Sequence, residues 1–203
     1  MDEDRYIVNA LVRQALIASE EVMGANGLNA VLRDAGLERL IDNLPPDDME
    51  PAVRTSEYAG FNQAIEAFYG RAGRGILQRV GRASFQYAVR EQAALLGIAG
   101  AALKILPQKQ RIKFILNSLV NALKKTNPQV EAWSGELEGK LVYVEQTCAI
   151  CYGRQSEQPI CHLYVGSISE AIKWATGKVY PVVETHCVAR GDPYCRFEVE
   201  EPE

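Results

Sequence analysis

The sequence predicts an α+β fold: a helical N-terminal half packed on an antiparallel sheet whose part of the chain runs β-β-α-β-β. Three observations carry this. Apolar residues recur at helical spacing as far as Leu123. Beyond Asn127-Pro128 the pattern changes to strand-like alternation punctuated by glycine turns. The chain has 203 residues, 47% hydrophobic and 24% charged, proportions that suit a packed domain and exclude disorder and collagen-like repeats.

Asp4 is placed to cap a first helix whose apolar positions Ile7, Val8, Leu11, Val12, Ala15 and Leu16 share a face, and Gly24 to close it. Asn26 offers a second N-cap and Gly36 a second stop. Pro45, Pro46 and Pro51, with Asp47 and Asp48, predict an exposed loop. Helical patterning resumes near Glu57 and runs, with glycine interruptions, to about Leu106. Within it, Gly70-Arg71-Ala72-Gly73-Arg74-Gly75 reads as a turn between closely packed helices. It lacks the Lys-Ser/Thr of a phosphate loop, and no clear strand precedes it. Pro107 suits the first turn of another helix, with the stripe Ile112, Ile115, Leu116, Leu119 and Leu123.

Residues 129–136 and 140–147 predict a hairpin turning at Glu138-Gly139. A helix is expected at about 166–176, stopped by Gly177. Residues 179–187 form a β-branched strand, Gly191-Asp192-Pro193 a turn, and 194–200 a last strand. That strand would alternate Cys195, Phe197 and Val199 inward with Arg196, Glu198 and Glu200 outward.

No apolar run approaches the ~18 residues that a membrane span needs, and Met1-Asp2-Glu3-Asp4 carries acid where a secretory signal carries base. A cytoplasmic protein is expected. The net charge of −4 is unevenly spread: residues 1–70 hold 5 basic and 13 acidic side chains, and residues 71–128 hold 11 and 1. With no nucleic-acid motif beside it, this basic third is expected to dock on acidic segments of its own fold or of a second subunit.

All five cysteines, Cys148, Cys151, Cys161, Cys187 and Cys195, fall in the last 56 residues. An odd count in a chain read as cytosolic argues against a pure disulfide framework and for metal or redox chemistry. Cys187 and Cys195 flank the Gly191-Asp192-Pro193 turn, so a return strand can bring them together. Glu184 joins them if the strand kinks or ends near Thr185, and Cys161 can return to the same edge. Three thiolates and a carboxylate would form a tetrahedral zinc site. Two other closures stay open on spacing alone: Cys148 and Cys151 of a CxxC with Cys187 and Cys195, or a Cys187–Cys195 disulfide. His162 and His186 are spare candidates.

The segment Pro159-Ile160-Cys161-His162, then Val183-Glu184-Thr185-His186-Cys187 and Gly191-Asp192-Pro193-Tyr194-Cys195-Arg196-Phe197, resembles the 4-vinyl reductase domain family in residue types and gap lengths. That family includes proteins associated with bacteriochlorophyll synthesis and sensor domains of phenol- and xylene-responsive activators. The resemblance is strongest over about 140–200 and extends weakly through Phe68-Tyr69-Gly70-Arg71 and Gly81-Arg82-Ala83-Ser84-Phe85. It implies a structural zinc at Cys161, Glu184, Cys187 and Cys195, leaving Cys148 and Cys151 as accessory thiols. It also implies the fold of haem-nitric-oxide and Golgi-transport ligand-binding domains. Residues 1–56 would then be a helical extension and 57–203 the ligand-binding domain.

The resemblance further implies an apolar pocket for a small hydrophobic or tetrapyrrole ligand, and a homodimer. Phe61, Phe68, Phe85, Phe114 and Trp133 are candidate pocket residues, with Tyr69 and Tyr87 beside them. A basic middle third at the mouth would favour a carboxylated ligand. The expected role is therefore a sensor or carrier, in (bacterio)chlorophyll biosynthesis among other settings. The alternative is a vinyl reductase, or a subunit of one, whose electrons come from a partner, because no dinucleotide fingerprint is found in the sequence. Haem-based gas sensing is not expected, since both histidines lie in the metal-binding segment.

Overall fold

In the computed structural model, which describes residues 4–91, 103 and 105–201, the helical stripes and the alternating strands share one core. The chain opens with a short strand, β1 (Tyr6–Val8), paired antiparallel with β2 (Pro51–Arg54) through Ile7 and Val53. Neither strand is long enough to show alternation, so the sequence hides both. Their pairing changes the role of Asp4. Its carboxylate accepts the Ser56 backbone N–H at 3.0 Å and the Ser56 hydroxyl at 2.7 Å. Asp4 therefore caps α2 (Thr55–Tyr69), not the helix that follows it in sequence.

That following helix, α1 (Asn9–Asp34), is broken where the sequence predicts a stop: Gly24 sits at φ 75°, ψ 161°. The Gly70–Ala72 segment is a single tight turn leading into α3 (Gly73–Glu91). A Cβ at Gly73 would lie 2.7 Å from the Glu66 backbone, so the close-packing role of this glycine is met. The expected continuation of helix to about Leu106 falls largely on residues 92–102 and 104, outside the described residues. Then α4 (Gln108–Thr126) begins, with Pro107 at its N-cap position and Ile112, Ile115 and Leu116 buried.

The four-stranded antiparallel sheet has the order β3-β4-β6-β5. Strands β3 (Ala132–Leu137) and β4 (Lys140–Glu145) form the predicted hairpin. Glu138 (φ 52°) and Gly139 (φ 81°) are both left-handed, as a two-residue turn matched to strand twist requires. Helix α5 (His162–Thr176) starts ahead of the expected residue 166, because Cys161 at its N-cap supplies no side-chain cap to mark it. Strand β5 (Val182–His186) and central strand β6 (Cys195–Val199) complete the sheet.

One expectation about β6 is corrected. Arg196 and Glu198, read as outward, are buried. Each partners across its neighbours: Arg196 with Glu138 and Glu198 at 3.1 Å, Glu198 with Lys140 at 2.9 Å and with the Thr185 hydroxyl at 3.0 Å. A strand flanked on both sides has its second face covered by the neighbours' long side chains. Two cations of the basic middle third, Lys109 and Lys113, dock on Glu136 of β3 at 2.9 and 3.1 Å. Among the described residues, no helix is long and apolar enough to cross a membrane.

Helix α5 packs on α3 at unusually close range. A Cβ at Gly81 would lie 2.0 Å from the Leu163 carbonyl oxygen, and one at Gly166 would lie 2.0 Å from that of Gln78. The Ser167 hydroxyl donates to the Gly81 carbonyl at 2.9 Å across this crossing. Gly81→Ala or Gly166→Ala is expected to lower the free energy of unfolding by about 2–3 kcal/mol through overpacking. Gly75→Ala, with open space around its Cβ, is expected to change it by less than about 1 kcal/mol and towards stability. Urea denaturation followed by circular dichroism checks both.

Candidate metal centre and ligand cavity

The end of β5 holds the first part of the site. Glu184 opposes Phe197 and His186 opposes Arg196, so the register slips at Thr185. This bulge supplies the kink that the sequence spacing requires, since residues three apart in a regular strand point to opposite faces. Cys187 follows the strand, and its N–H donates to Asp192 Oδ2 at 2.8 Å. That bond and the Arg190 guanidinium hold the Asp192 carboxyl below its usual range. Gly191, at φ 93°, closes the turn that returns the chain to Cys195, whose Sγ accepts the Val188 N–H at 3.4 Å. Cys161, just before α5, donates its N–H to Glu184 Oε2 at 2.7 Å.

The donor atoms of Cys161, Glu184, Cys187 and Cys195 lie within 4.8 Å of one another. The sequence leaves Cys148 and Cys151 as accessory thiols, but the structure folds them into the same cluster. Cys148, Cys151, Cys161 and Cys195 form a second group within the same limit. The all-cysteine set weighed from spacing has Cys187 where Cys161 stands in this group. All five cysteines are buried free thiols, including Cys187 and Cys195, and neither His162 nor His186 belongs to either group.

The spacing suits a metal. Sγ atoms are 3.5 Å apart for Cys148–Cys161 and Cys151–Cys195, and 3.8 Å for Cys161–Cys187 and Cys161–Cys195. Zinc–sulfur bonds of about 2.3 Å in a tetrahedron set sulfurs about 3.8 Å apart, whereas a disulfide needs about 2.05 Å. Glu184 Oε1 is buried with no hydrogen-bond partner. Burial, and then the neighbouring Cys187, push its carboxyl up to about 9. A soft thiolate set with one carboxylate is a donor set for zinc.

A cavity of about 190 Å³ lies next to the cluster. Its walls are β1 with Arg5, the start of α1 (Leu11, Gln14, Ala15), α3 (Ser84, Phe85, Ala88), the end of α4, β4 and the first turns of α5. Most of the lining is apolar. The polar exceptions converge from β4 and α5: the Tyr143 hydroxyl donates to Glu145 Oε2 at 3.2 Å, and Tyr164 also hydrogen-bonds this carboxylate. Burial raises the Glu145 carboxyl to about 7, against those two hydrogen bonds and the Arg5 guanidinium. Gln14 Nε2 and Ser84 Oγ are buried without partners.

Of the aromatic candidates read from sequence, Phe85 lines this cavity. Phe61 is buried in the core beside Tyr58, and Phe114 is half-buried away from the lining. Phe68 is 55% exposed and Trp133, on outer strand β3, 39% exposed. Tyr69 and Tyr87 pack half-buried against the core, with the Tyr87 hydroxyl on Glu21. Helical periodicity finds the buried face but not the part of it that turns towards a cavity. Sequence reasoning misses Tyr58, Tyr143, Glu145 and Tyr164, although the alternation of β4 places Tyr143 and Glu145 on one face. A second correction concerns charge: among the described residues 71–128, no lysine or arginine lines the cavity.

Comparison with known proteins bears out the resemblance read from the motifs. Residues 141–201 match the family model of the 4-vinyl reductase domain. An uncharacterized protein of Methanocaldococcus jannaschii is 38% identical over 60 residues, which cover 30% of this chain and 33% of that protein, so the match spans about a third of the relative's length. Among solved structures, the unliganded Fe(II) H-NOX protein from K. algicida superposes with a TM-score of 0.63 at 12% identity, covering 97% of each chain. An H-NOX protein from S. oneidensis gives 0.57 at 12% identity, covering 94% of this chain and 99% of that one. Over residues 141–201 the chain matches the 4-vinyl reductase domain, and over nearly its whole length it shares the H-NOX fold.

Proposed function

We propose that this protein is a small-molecule-binding module, acting as sensor or carrier, whose cavity floor is held by a structural zinc at Cys161, Glu184, Cys187 and Cys195. The observation that carries this reading is the continuity of one stretch of chain. Glu145, Thr147 and Ala149 line the cavity, while Cys148 and Cys151 reach into the thiol cluster. Arg5 ties the same stretch from β1, donating from Nη2 to the Thr147 carbonyl at 2.9 Å. Four protein ligands leave zinc no open position, so what the ion supplies is folding free energy.

The volume narrows the ligand. A dry cavity of about 150 Å³ accommodates a benzene ring. One of about 190 Å³ therefore suits a single substituted ring, and a tetrapyrrole would have to force the walls apart. The solved relatives named for haem and oxygen share the fold, but both histidines of this chain lie outside the cavity, one opening α5 and one ending β5. The polar groups narrow it further. Glu145 offers an acceptor in an apolar wall, and the unpartnered Gln14 amide offers a donor. A ring bearing a hydroxyl satisfies both, because a hydroxyl donates and accepts. A carboxylated ligand would set its charge against Glu145.

Elemental analysis of freshly isolated protein, never exposed to chelator, is expected to find zinc; finding no divalent metal overturns the metal reading. Cys187→Ala or Cys195→Ala is expected to give poorly folded protein, and a folded variant with full metal content would remove these residues from the site.

For the ligand, thermal unfolding is compared in the presence of phenol, toluene, benzoate and a carboxylated porphyrin. Phenol is expected to bind about tenfold more tightly than toluene, a difference of about 1.4 kcal/mol, and Glu145→Leu to erase that preference. Benzoate matching phenol, or the porphyrin stabilising most, would overturn the assignment. Turnover of a divinyl tetrapyrrole with NADPH would instead favour the reductase.

A further inference from the structure

The two groups of donors around the thiol cluster are not alternatives in space. They share one edge, the 3.8 Å pair Cys161 Sγ and Cys195 Sγ. On one side of that edge stand Cys148 and Cys151; on the other stand Glu184 and Cys187. Two tetrahedra joined along a common edge have this arrangement: six donors, two of them bridging. We infer that the cluster binds two divalent metal ions, bridged by the thiolates of Cys161 and Cys195, one completed by Cys148 and Cys151 and the other by Glu184 and Cys187. This rests on the zinc reading above and adds a second ion that the first does not require.

The distances on the new side carry the argument. Cys148 reaches Cys161 at 3.5 Å, and Cys151 reaches Cys195 at 3.5 Å. Each new thiol therefore stands beside one end of the shared edge, close to the roughly 3.8 Å separation of sulfurs around tetrahedral zinc. On the opposite side, Cys187 stands 3.8 Å from Cys161, and Glu184 keeps Oε1 buried and unpartnered. Thiolate sulfur has lone pairs enough to bridge two soft ions, which a carboxylate oxygen held by a backbone N–H does less readily. The bridging positions therefore fall to sulfur and the carboxylate is terminal.

Charge is consistent with this. Two divalent ions against five thiolates and one carboxylate leave a net charge of two negative, the same as one ion against three thiolates and one carboxylate. The second ion thus neutralises the extra thiolates without adding to the net charge that must be buried. With one ion, Cys148 and Cys151 remain buried thiols that pack only as small apolar groups.

Native mass spectrometry of the full chain, purified with zinc and without chelator, reads the stoichiometry. Two zinc ions per chain support the inference. One ion overturns it and leaves the structural zinc in place; none overturns both. Iron with acid-labile sulfide would also overturn it, because inorganic sulfide would then be the bridge. The double variant Cys148→Ser, Cys151→Ser is expected to fold and keep one ion, and a folded double variant retaining two would overturn the assignment. Should that variant fail to fold, cobalt titration of the metal-depleted wild-type protein decides. Thiolate-to-cobalt charge-transfer absorbance is expected to rise through two equivalents, and a plateau at one overturns the second ion.

Discussion

Five thiols and a carboxylate buried at one point constrain everything around them. A carboxylate or thiolate removed from water without a counter-charge costs several kcal/mol, and Glu184 Oε1 has no hydrogen bond to offset it. The strands and loops that bring these groups together belong to three separate stretches: 148–161, 184–187 and 195. Holding them together closes the C-terminal third across its longest loop, the segment between β4 and α5. Little regular structure does so otherwise, because that segment contains no helix or strand.

The rest of the architecture serves that convergence. The bulge at Thr185 turns Glu184 towards Cys187, and the left-handed Gly191 returns the chain so that Cys195 starts β6 beside it. β6 lies at the centre of the sheet, next to β4, where Glu145 opposes Cys195. One residue pair therefore faces two sites: Cys195 belongs to the thiol cluster and Glu145 to the cavity. The close α3–α5 crossing at Gly81 and Gly166 fixes α5 over the sheet, which sets Cys161 at one end of the helix and Tyr164 against the cavity. The ion pair of Arg154 with Glu66 ties the thiol-bearing loop to α2.

Much of this is legible in the sequence, and what is not has identifiable causes. The Glu138-Gly139 turn, the Gly24 break, the Gly177 stop and the α4 stripe follow from local chemistry that a few residues decide. The strands β1 and β2 are too short to show a period, and they conceal the true partner of Asp4. Cys148 and Cys151 stand apart from the motif in sequence, because joining them to Cys161 and Cys195 depends on the path of an irregular loop that no periodicity describes. The cavity is least legible. Among seven aromatic candidates, Phe85 faces it, since burial alone does not say whether a ring meets another side chain or open space.

Sharing a fold with H-NOX proteins at 12% identity constrains the framework and leaves the chemistry to the side chains. In this chain the framework encloses a space of about 190 Å³, walled by aliphatic groups and marked by a buried carboxylate between two tyrosines. A carboxylate at that place costs stability, and two hydroxyl donors with a nearby guanidinium offset part of the cost. A cavity needed only for packing would be more stable with Glu145 replaced by an apolar residue of like size. Its position, opposite a cysteine of the thiol cluster and open to the cavity, makes recognition of a hydrogen-bond donor the use that justifies the penalty.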